Sequence, residues 1–376
     1  MLSEKQFDLA VVGGGPAGTS AAITAARLGA TVVLLEARTF PRHKVCGEFV
    51  SAESLDVLAG LLRDMPSASS VFDEAPVIDR TRLLFRTRVI EAAVSPAALS
   101  IPRYILDARL WDATLASGAD ARMNCEVSAI SGDGPFQLRT SAGDVPARAL
   151  IVAAGRWSQF AADRSIPPGP KWIGLKAHFH ESQPTKSTDL YFFENGYCGV
   201  QPVAGDMVNA CAMVRSDRAT SLAGVFELHP LLQQRASAWA ATMQPVSTAP
   251  LIYGQPQPVR DNIVFAGDAA AFIDPFVGDG ISLALRSGQA AAQCLCRFFS
   301  GEGTLPDAVG AYGREYSGQF APLLSTASRM RSLMSLPMSA QTVVFELLRF
   351  PGLIPFVIRK TRRARRLPPA TAGTKV

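Results

Sequence analysis

A glycine-rich turn between two apolar runs near the N-terminus limits the fold of this chain more than any other feature. Residues 7–36 read FDLAVVGGGPAGTSAAITAARLGATVVLLE. Residues 7–12 predict a buried strand, residues 16–28 predict a helix that ends at Gly29, and residues 31–35 predict a second buried strand. This order of strand, turn, helix and strand is typical of the α/β class.

The glycines of the turn have the spacing Gly-x-Gly-x-x-Gly, at Gly13, Gly15 and Gly18. The first permits a tight turn, the second lets a pyrophosphate approach the backbone, and the third lets helix and strand pack closely. The helix N-terminus offers unpaired N–H groups to phosphates. Glu36 closes the second strand, near the expected spacing of about 20 residues, and can accept both ribose hydroxyls. The pattern predicts binding of FAD or NAD rather than NADP; the alternative is an unrelated glycine-rich turn.

A second motif much further along the chain favours FAD over NAD. Residues 262–266 predict a short strand, followed by Gly267, Asp268, a Pro/Gly loop and a helix from about Gly280. Gly267 permits close approach of a ligand, and Asp268 can accept a hydrogen bond from a polyol hydroxyl. A helix N-terminus stabilises the negative charge of a reduced flavin. A nicotinamide enzyme has no need for this element, so the sequence predicts FAD.

Together these motifs resemble the FAD-dependent oxidoreductases of the p-hydroxybenzoate hydroxylase fold. Within that superfamily the chain is most similar to the geranylgeranyl-reductase-related branch. The additional resemblance lies in FPRHKVCGE at 40–48, RYILDARL at 103–110 and GYCGVQPV at 196–203. It extends over nearly the whole chain to about residue 300.

The resemblance implies an α/β fold with a Rossmann-like FAD-binding domain, an interleaved β-sheet substrate domain and C-terminal helices. The FAD-binding domain would comprise residues 1–70, 97–165 and 255–300. The substrate domain would comprise 71–96 and 166–254. Residues 301–376 would form a helical region with a basic tail.

The resemblance also implies the residues that hold FAD. They are Gly13, Gly15, Ala17 and Gly18 at the pyrophosphate, Glu36 at the adenosine ribose, Arg42 over the phosphates, Cys46 and Arg103 beside the cofactor, Gly155 in a second glycine turn, Gly267 and Asp268 at the ribityl chain, and Gly280 and Ile281 at the pyrimidine edge of the flavin.

One stretch departs from the family pattern. Hydroxylases of this superfamily usually have Gly-x-Asp-Gly where this chain reads Ala-Ala-Gly-Arg, ending at Arg156. The missing carboxylate weakens the expectation of direct reduction by NAD(P)H, so the expected electron donor is either NAD(P)H or a protein. The chain also has no Trp-x-Trp-x-Ile-Pro element, which disfavours a tryptophan halogenase.

Two residues are candidates for catalysis. Cys46 would lie near the flavin and assist proton delivery; the alternative is a small residue that packs beside Gly47. Tyr197 would lie in the substrate-cavity wall and donate a proton or orient a carbonyl or phenol; the alternative is a wall residue with a satisfied hydroxyl. His43 and Lys44 flank Cys46 and are expected to be solvated; the alternative is that they lower the pKa of its thiol.

The chain is not expected to bind metal. Its six cysteines form no CxxC pair, and its four histidines are isolated, which disfavours a zinc site or a disulfide framework and indicates a reducing compartment. His178 and His180 share one face of a predicted strand, but no third ligand is evident nearby.

The basic charge of the chain is local. The formal net charge is +5, and six cations lie within residues 359–366; without these six the net charge is −1. This argues against nucleic-acid binding. An apolar stretch at 343–358 before this tail predicts either peripheral contact with an anionic membrane or a capping helix with a solvated tail. No run is long and apolar enough to span a bilayer, and we expect a cytoplasmic protein or one on the inner face of the membrane.

Two reactions on a lipophilic small molecule remain open at this point. In the first, a flavin C4a-hydroperoxide hydroxylates an aromatic or quinone substrate. In the second, reduced flavin delivers hydride to an isoprenoid-like C=C bond and a nearby acid supplies a proton. The fold permits both. A third alternative is a non-catalytic FAD-binding protein.

Overall fold

The computed structural model describes residues 6–66, 68–156, 158–160, 168–248, 250–272 and 278–334, together with Thr342 and Phe345. In chain order its elements are β1 (Phe7–Val12), α1 (Pro16–Arg27), β2 (Val32–Leu35), β3 (Phe49–Val50), α2 (Ala52–Leu62), α3 (Ala68–Asp73), β4 (Val77–Phe85), β5 (Arg88–Ser100), α4 (Arg103–Ala116), β6 (Asp120–Arg122), β7 (Val127–Ser131), β8 (Phe136–Thr140), β9 (Gly143–Val152), β10 (Trp172–His180), β11 (Ser187–Phe193), β12 (Gly196–Val203), β13 (Met207–Arg215), α5 (Leu222–Glu227), α6 (Pro230–Ala236), β14 (Ala240–Ala241), β15 (Val246–Thr248), β16 (Val259–Arg260), β17 (Ile263–Phe265), a 3₁₀ turn (Gly267–Ala269), α7 (Gly280–Phe299) and α8 (Leu305–Met334).

The first sheet brings the predicted cofactor motifs to one edge. Its strand order is β16–β17–β9–β1–β2–β6, and the β7–β8 hairpin joins it at β9. The strands β17, β9, β1 and β2 run parallel to their neighbours in this series. Because parallel strands end at the same edge, Gly13, Glu36, Ala153 and Gly267 meet there, each just after its strand. Ligands of open α/β sheets bind at this edge.

The second sheet forms the floor of the substrate region. Its strand order is β14–β10–β13–β12–β11–β4–β5–β3, with β15 paired to β10, and β11 and β4 are parallel. One face packs against α5 and α6 in a cluster that includes Leu175, Phe179, Val225 and Leu232. The other face contacts the loop that follows β2, where an added Cβ at Gly174 would lie 2.9 Å from a methyl group of Val45.

The two sheets draw their strands from different segments of the chain. Strands of the first sheet lie within 1–70, 97–165 and 255–300, and most strands of the second lie within 71–96 and 166–254. However, β3 pairs with the end of β5 in the second sheet. The loop after β2 therefore begins at the cofactor edge and ends in the substrate sheet, which links the two parts physically.

Helices close the molecule at its C-terminal side. Ser20 in α1 donates a hydrogen bond to the carbonyl of Leu285 in α7 (2.7 Å), and Tyr312 in α8 donates to the carbonyl of Phe265 (2.8 Å). Among the described residues, no helix has the length and apolarity needed to cross a membrane. The basic tail and most of the apolar stretch at 343–358 lie outside the described residues.

Candidate functional site

The glycine turn after β1 has the shape of a phosphate cradle. Gly13 has a φ of +106°, and an added Cβ there would lie 2.6 Å from the carbonyl oxygen of Ala153. A Cβ on Gly18 would lie 1.8 Å from the carbonyl oxygen of Gly13. Gly15, which caps the N-terminus of α1, faces open space, and the nearest atom to its added Cβ is Lys44 Nζ at 3.9 Å. The three glycines therefore fit a pyrophosphate at the α1 N-terminus.

The Glu36 carboxylate is fixed at the end of β2. It accepts hydrogen bonds from the backbone N–H of Gly14 (2.8 Å) and Arg38 (2.9 Å) and from the guanidinium of Arg42 (3.0 Å). The Arg42 guanidinium also lies over the Phe40 ring, 5.1 Å from its centroid. This pairing places Arg42 beside the predicted ribose position; its predicted place over the phosphates stays a prediction.

Lys44 is the cation that faces the phosphate cradle. It is half-buried with Nζ beside Gly15, so the expectation that it is solvated is wrong. Burial, and secondarily the charge of Arg103, lowers the Lys44 pKa to about 8. A bound pyrophosphate would add negative charge beside this ammonium and favour its charged form.

We predict that FAD affinity depends on the charge of Lys44. Above pH 8 the ammonium of the FAD-free protein loses its proton, whereas bound pyrophosphate favours the charged form. The FAD dissociation constant should therefore rise by up to about tenfold per pH unit above pH 8. Fluorescence titration of the apoprotein with FAD from pH 6.5 to 9.5 measures this effect. Lys44→Met should bind FAD weakly at pH 7 with little further loss above pH 8, and an unchanged pH dependence in this variant would contradict the assignment.

The flavin-binding motifs meet the cradle at a single cavity. Gly155 (φ +77°) and Gly267 (φ +61°) both have backbone conformations that favour glycine. An added Cβ on Gly267 would lie 2.9 Å from the Cβ of Ala17, so this turn packs directly on α1. Asp268, and Gly280 and Ile281 at the start of α7, line the same cavity. Residues 273–277, in the Pro/Gly loop between Asp268 and Gly280, lie outside the described residues.

The cavity is large enough for a cofactor and a substrate. Its volume is about 1290 Å³, above the roughly 300–1,000 Å³ of common ligand pockets. The predicted FAD residues Gly13, Gly15, Ala17, Glu36, Arg42, Cys46, Arg103, Gly155, Gly267, Asp268, Gly280 and Ile281 all line it. Gly18 lies beneath the cradle. These residues fit FAD, with its pyrophosphate at the α1 N-terminus and its flavin near the α7 N-terminus.

Arg103 and Cys46 lie together at the cavity wall. The Arg103 guanidinium makes two hydrogen bonds of 2.7 Å to the fully buried carboxylate of Asp107, which raises the Arg103 pKa. Burial raises the pKa of the Cys46 thiol. At neutral pH this thiol keeps its proton, so it is suited to donating a proton and unsuited to nucleophilic attack as a thiolate.

On the face of the second sheet that lines the cavity, cross-strand pairing places side chains from neighbouring strands in rows. The first row across it is Phe85, Phe192, Tyr197, Met213 and Gly174, on β4, β11, β12, β13 and β10. The second row is Leu83, Leu190, Gly199, Cys211 and Lys176. The first row is apolar except for the hydroxyl of Tyr197, and all of its residues line the cavity. We call it the apolar row.

The apolar row begins at the flavin end of the cavity. Tyr253 donates a hydrogen bond to the sulfur of Met213 (2.9 Å), and its ring lies 5.2 Å from that of Phe272. Phe272 closely follows the turn that contains Gly267 and Asp268. Arg156, which follows Gly155 in the stretch that departs from the hydroxylase pattern, lies over the Phe272 ring at 4.2 Å and donates to Thr248 (3.0 Å).

A buried charged cluster at the second row was not predicted from the sequence. The Glu48 carboxylate accepts hydrogen bonds from Lys176 Nζ, from His178 Nε2 (2.8 Å) and from the backbone N–H of Arg103 (3.0 Å). Glu48 and Lys176 are fully buried, and Glu48 has a φ of +63°. Burial acts to raise the Glu48 pKa, but His178 and Lys176 hold it below its usual value of 4.5.

The contacts of His178 differ from those expected of a metal ligand. His178 pairs with Glu48, its ring lies 5.5 Å from that of His43, and His180 is exposed. No group of potential metal ligands occurs within the described ranges. His43 was expected to be solvated, but it is half-buried and stacks on Tyr104 at 4.8 Å. Lys176 and His178 alternate with apolar residues in one strand, and this is the feature of the sequence from which the cluster could have been predicted.

Known proteins similar to this chain include reductases of lipophilic substrates. A family model described as FAD dependent oxidoreductase matches residues 8–53. Menaquinone reductase of Mycolicibacterium smegmatis is 26% identical, with 94% of this chain and 90% of the relative covered. Digeranylgeranylglycerophospholipid reductase 1 of Methanococcoides burtonii is 25% identical, with 84% and 80% covered. Conditioned medium factor receptor 1 of Dictyostelium discoideum is 25% identical over 79% of this chain and only 64% of that protein.

Solved structures of flavin-dependent halogenases have the same fold. The brominase Bmp2 has a TM-score of 0.78 at 19% identity, with 95% of this chain and 93% of that chain covered. The myxobacterial chondrochloren halogenase CndH has a TM-score of 0.77 at 18% identity, with 96% and 91% covered. Similarity at this level of identity establishes the fold alone. The relatives named as reductases support an enzyme over a non-catalytic FAD-binding protein.

Proposed function

We propose a reductase function for this chain, which is an FAD-dependent oxidoreductase related to the geranylgeranyl reductases. The proposed reaction is reduction of a C=C bond in an extended, prenyl-like lipid. The observation that carries this proposal is the apolar row, which crosses four strands from Met213 to Phe85. At about 4.8 Å per strand spacing the row is about 14 Å long. This length favours a linear chain over a single ring.

The Met213 end of the apolar row lies beside the flavin site, which determines the part of the substrate that reacts. Met213 is joined through Tyr253 to Phe272, beside the predicted ribityl site at Asp268. A chain that lies along the row therefore has one part next to the flavin and the rest on apolar side chains. When bound and reduced, FAD supplies a hydride. The protein binds and orients the chain and excludes water from it.

The protein must also supply a proton, because reduction of a C=C bond adds one hydride and one proton. Cys46 keeps its thiol proton at neutral pH and lines the cavity. Tyr197 is buried in the middle of the apolar row with its ring against Phe192. We propose Cys46 as the proton donor and Tyr197 as the group that orients the substrate.

Hydroxylation of an aromatic or quinone substrate is the second candidate function. The rings of Phe85, Phe192 and Tyr197 in the cavity wall favour it, because aromatic side chains also pack well on a planar ring. A prenylated quinone would match both features. Reduction adds two hydrogen atoms to the substrate, whereas hydroxylation adds one oxygen atom.

The experiment that tests the proposal supplies electrons without oxygen. Purified protein loaded with FAD is incubated anaerobically with dithionite and a prenyl alcohol, whose isolated C=C bonds dithionite does not reduce, and the products are analysed by mass spectrometry. The proposal predicts a product heavier by two hydrogen atoms, formed without oxygen. Product formation only in air, with the gain of one oxygen atom, would contradict it and support hydroxylation. Cys46→Ala should slow hydrogenation by about 10²–10⁴-fold, the usual contribution of a positioned acid, while FAD binding is retained.

A further inference from the structure

The far end of the apolar row is closed by an aromatic side chain from the C-terminal part of the chain. Phe345 is buried, stacks on Phe85 with ring centroids 4.9 Å apart, and meets Phe192 edge-on at 5.9 Å. All three residues line the cavity. Phe85 and Phe192 are the last two members of the row on the side away from the flavin.

We propose that Phe345 determines the longest substrate chain that the cavity accepts, an inference that rests on the proposed reduction of prenyl-like lipids. The row has two fixed ends. At one end, Met213 lies next to the flavin site. At the other end, Phe345 lies where a longer substrate chain would extend. A substrate whose reacting bond is held at the flavin therefore extends toward Phe345 and stops there.

Two roles are open for the apolar stretch at 343–358, a membrane contact or a cap. Phe345 packs against β4 and β11, which agrees with a cap. Its ring covers part of Phe85 and Phe192 in the cavity wall. Removal of the ring should therefore lengthen the apolar row without any change at the flavin end.

Binding of linear prenyl alcohols tests this inference independently of turnover. Oxidised, FAD-loaded protein is titrated with alcohols of two to five isoprene units, and flavin fluorescence or absorbance reports the dissociation constant. Wild-type affinity should increase with length because each buried CH₂ contributes up to about fourfold, and then cease to increase at one length. Phe345→Ala should move that limit to a longer chain and improve its affinity by about tenfold or more. Phe345→Trp should move the limit to a shorter chain.

Phe226→Ala is a matched control. Phe226 packs against Phe179 and Trp239 on the opposite face of the sheet, away from the cavity. Its replacement removes the same side chain but should leave the length limit unchanged. If Phe345→Ala does not fold, Phe345→Leu, which keeps an apolar side chain, should show a smaller shift in the same direction.

The outcomes separate this inference from the proposed function. If the wild-type protein binds the series and Phe345→Ala or Phe345→Leu keeps the wild-type length limit, the inference is overturned and the proposed function stands. If the wild-type protein binds no chain of any length, the proposed substrate class is overturned, and this inference with it. A length limit that moves equally in Phe226→Ala would also contradict a specific role for Phe345.

Discussion

Gly18→Ala is expected to yield a protein without bound FAD. An added Cβ at Gly18 would lie 1.8 Å from the carbonyl oxygen of Gly13, and a backbone atom cannot move aside as the end of a side chain can. The cradle must open, which displaces the N–H groups that face the pyrophosphate. The flavin absorbance of the purified variant should be lost, and its free energy of unfolding should fall by at least about 1–3 kcal/mol, the cost of overpacking.

Gly60→Ala is the matched control for this variant. Gly60 lies in α2, and an added Cβ there would meet no atom within 4 Å. This variant should contain as much FAD as the wild type and should be more stable by about 0.5–1 kcal/mol, because alanine is the better helix residue. Normal flavin content in Gly18→Ala would contradict the assignment of this turn as the pyrophosphate cradle.

Glu48→Ala should destabilise the protein strongly. The carboxylate is fully buried and is the shared partner of Lys176, His178 and the backbone N–H of Arg103. Its loss leaves the Lys176 charge buried without its carboxylate, and breaking such a pair costs about 3–5 kcal/mol. Denaturant unfolding at pH 7 measures the change. Glu91→Ala, which breaks the exposed ion pair with Arg80, is the control and should cost no more than about 1 kcal/mol.

The Glu48–Lys176 pair allows a second mutational test, and it also predicts how the stability of the protein depends on pH. Lys176→Met combined with Glu48→Gln removes both charges and should recover part of the loss, as expected for coupled neighbours. Because Glu48 has a lowered pKa in the folded state, its contribution to stability is present above its usual pKa of 4.5 and is lost as the pH falls further. Equal losses of stability in Glu48→Ala and Glu91→Ala would contradict the role of the cluster.

The sequence predicted the parts of this fold that depend on local backbone shape. Glycine spacing predicts the turn after β1, and apolar runs predict the strands beside it, whereas the meeting of Gly13, Glu36 and Gly267 at one sheet edge is seen in the strand order. Strand β3 was not predicted: it is two residues long and depends on a distant partner, the end of β5.

The features that the sequence did not predict depend on contacts between distant segments. Lys44 is expected in solvent from its charge, and only the fold places it beside Gly15. The partners of Glu48 lie 128 and 130 positions away along the chain, and Glu48 also requires a left-handed backbone. The apolar row is read across strands, not along one, so no periodicity within a strand reveals it. Phe345 joins that row from outside both sheets.

The proposed reduction is tested most directly by a single turnover without oxygen. FAD-loaded protein is reduced with one equivalent of dithionite, then mixed anaerobically with a prenyl substrate while the flavin absorbance is followed. The account predicts that the oxidised flavin spectrum returns with the substrate alone, in step with one equivalent of product heavier by two hydrogen atoms. Flavin that stays reduced until oxygen is admitted, with a product that then gains an oxygen atom, would contradict it.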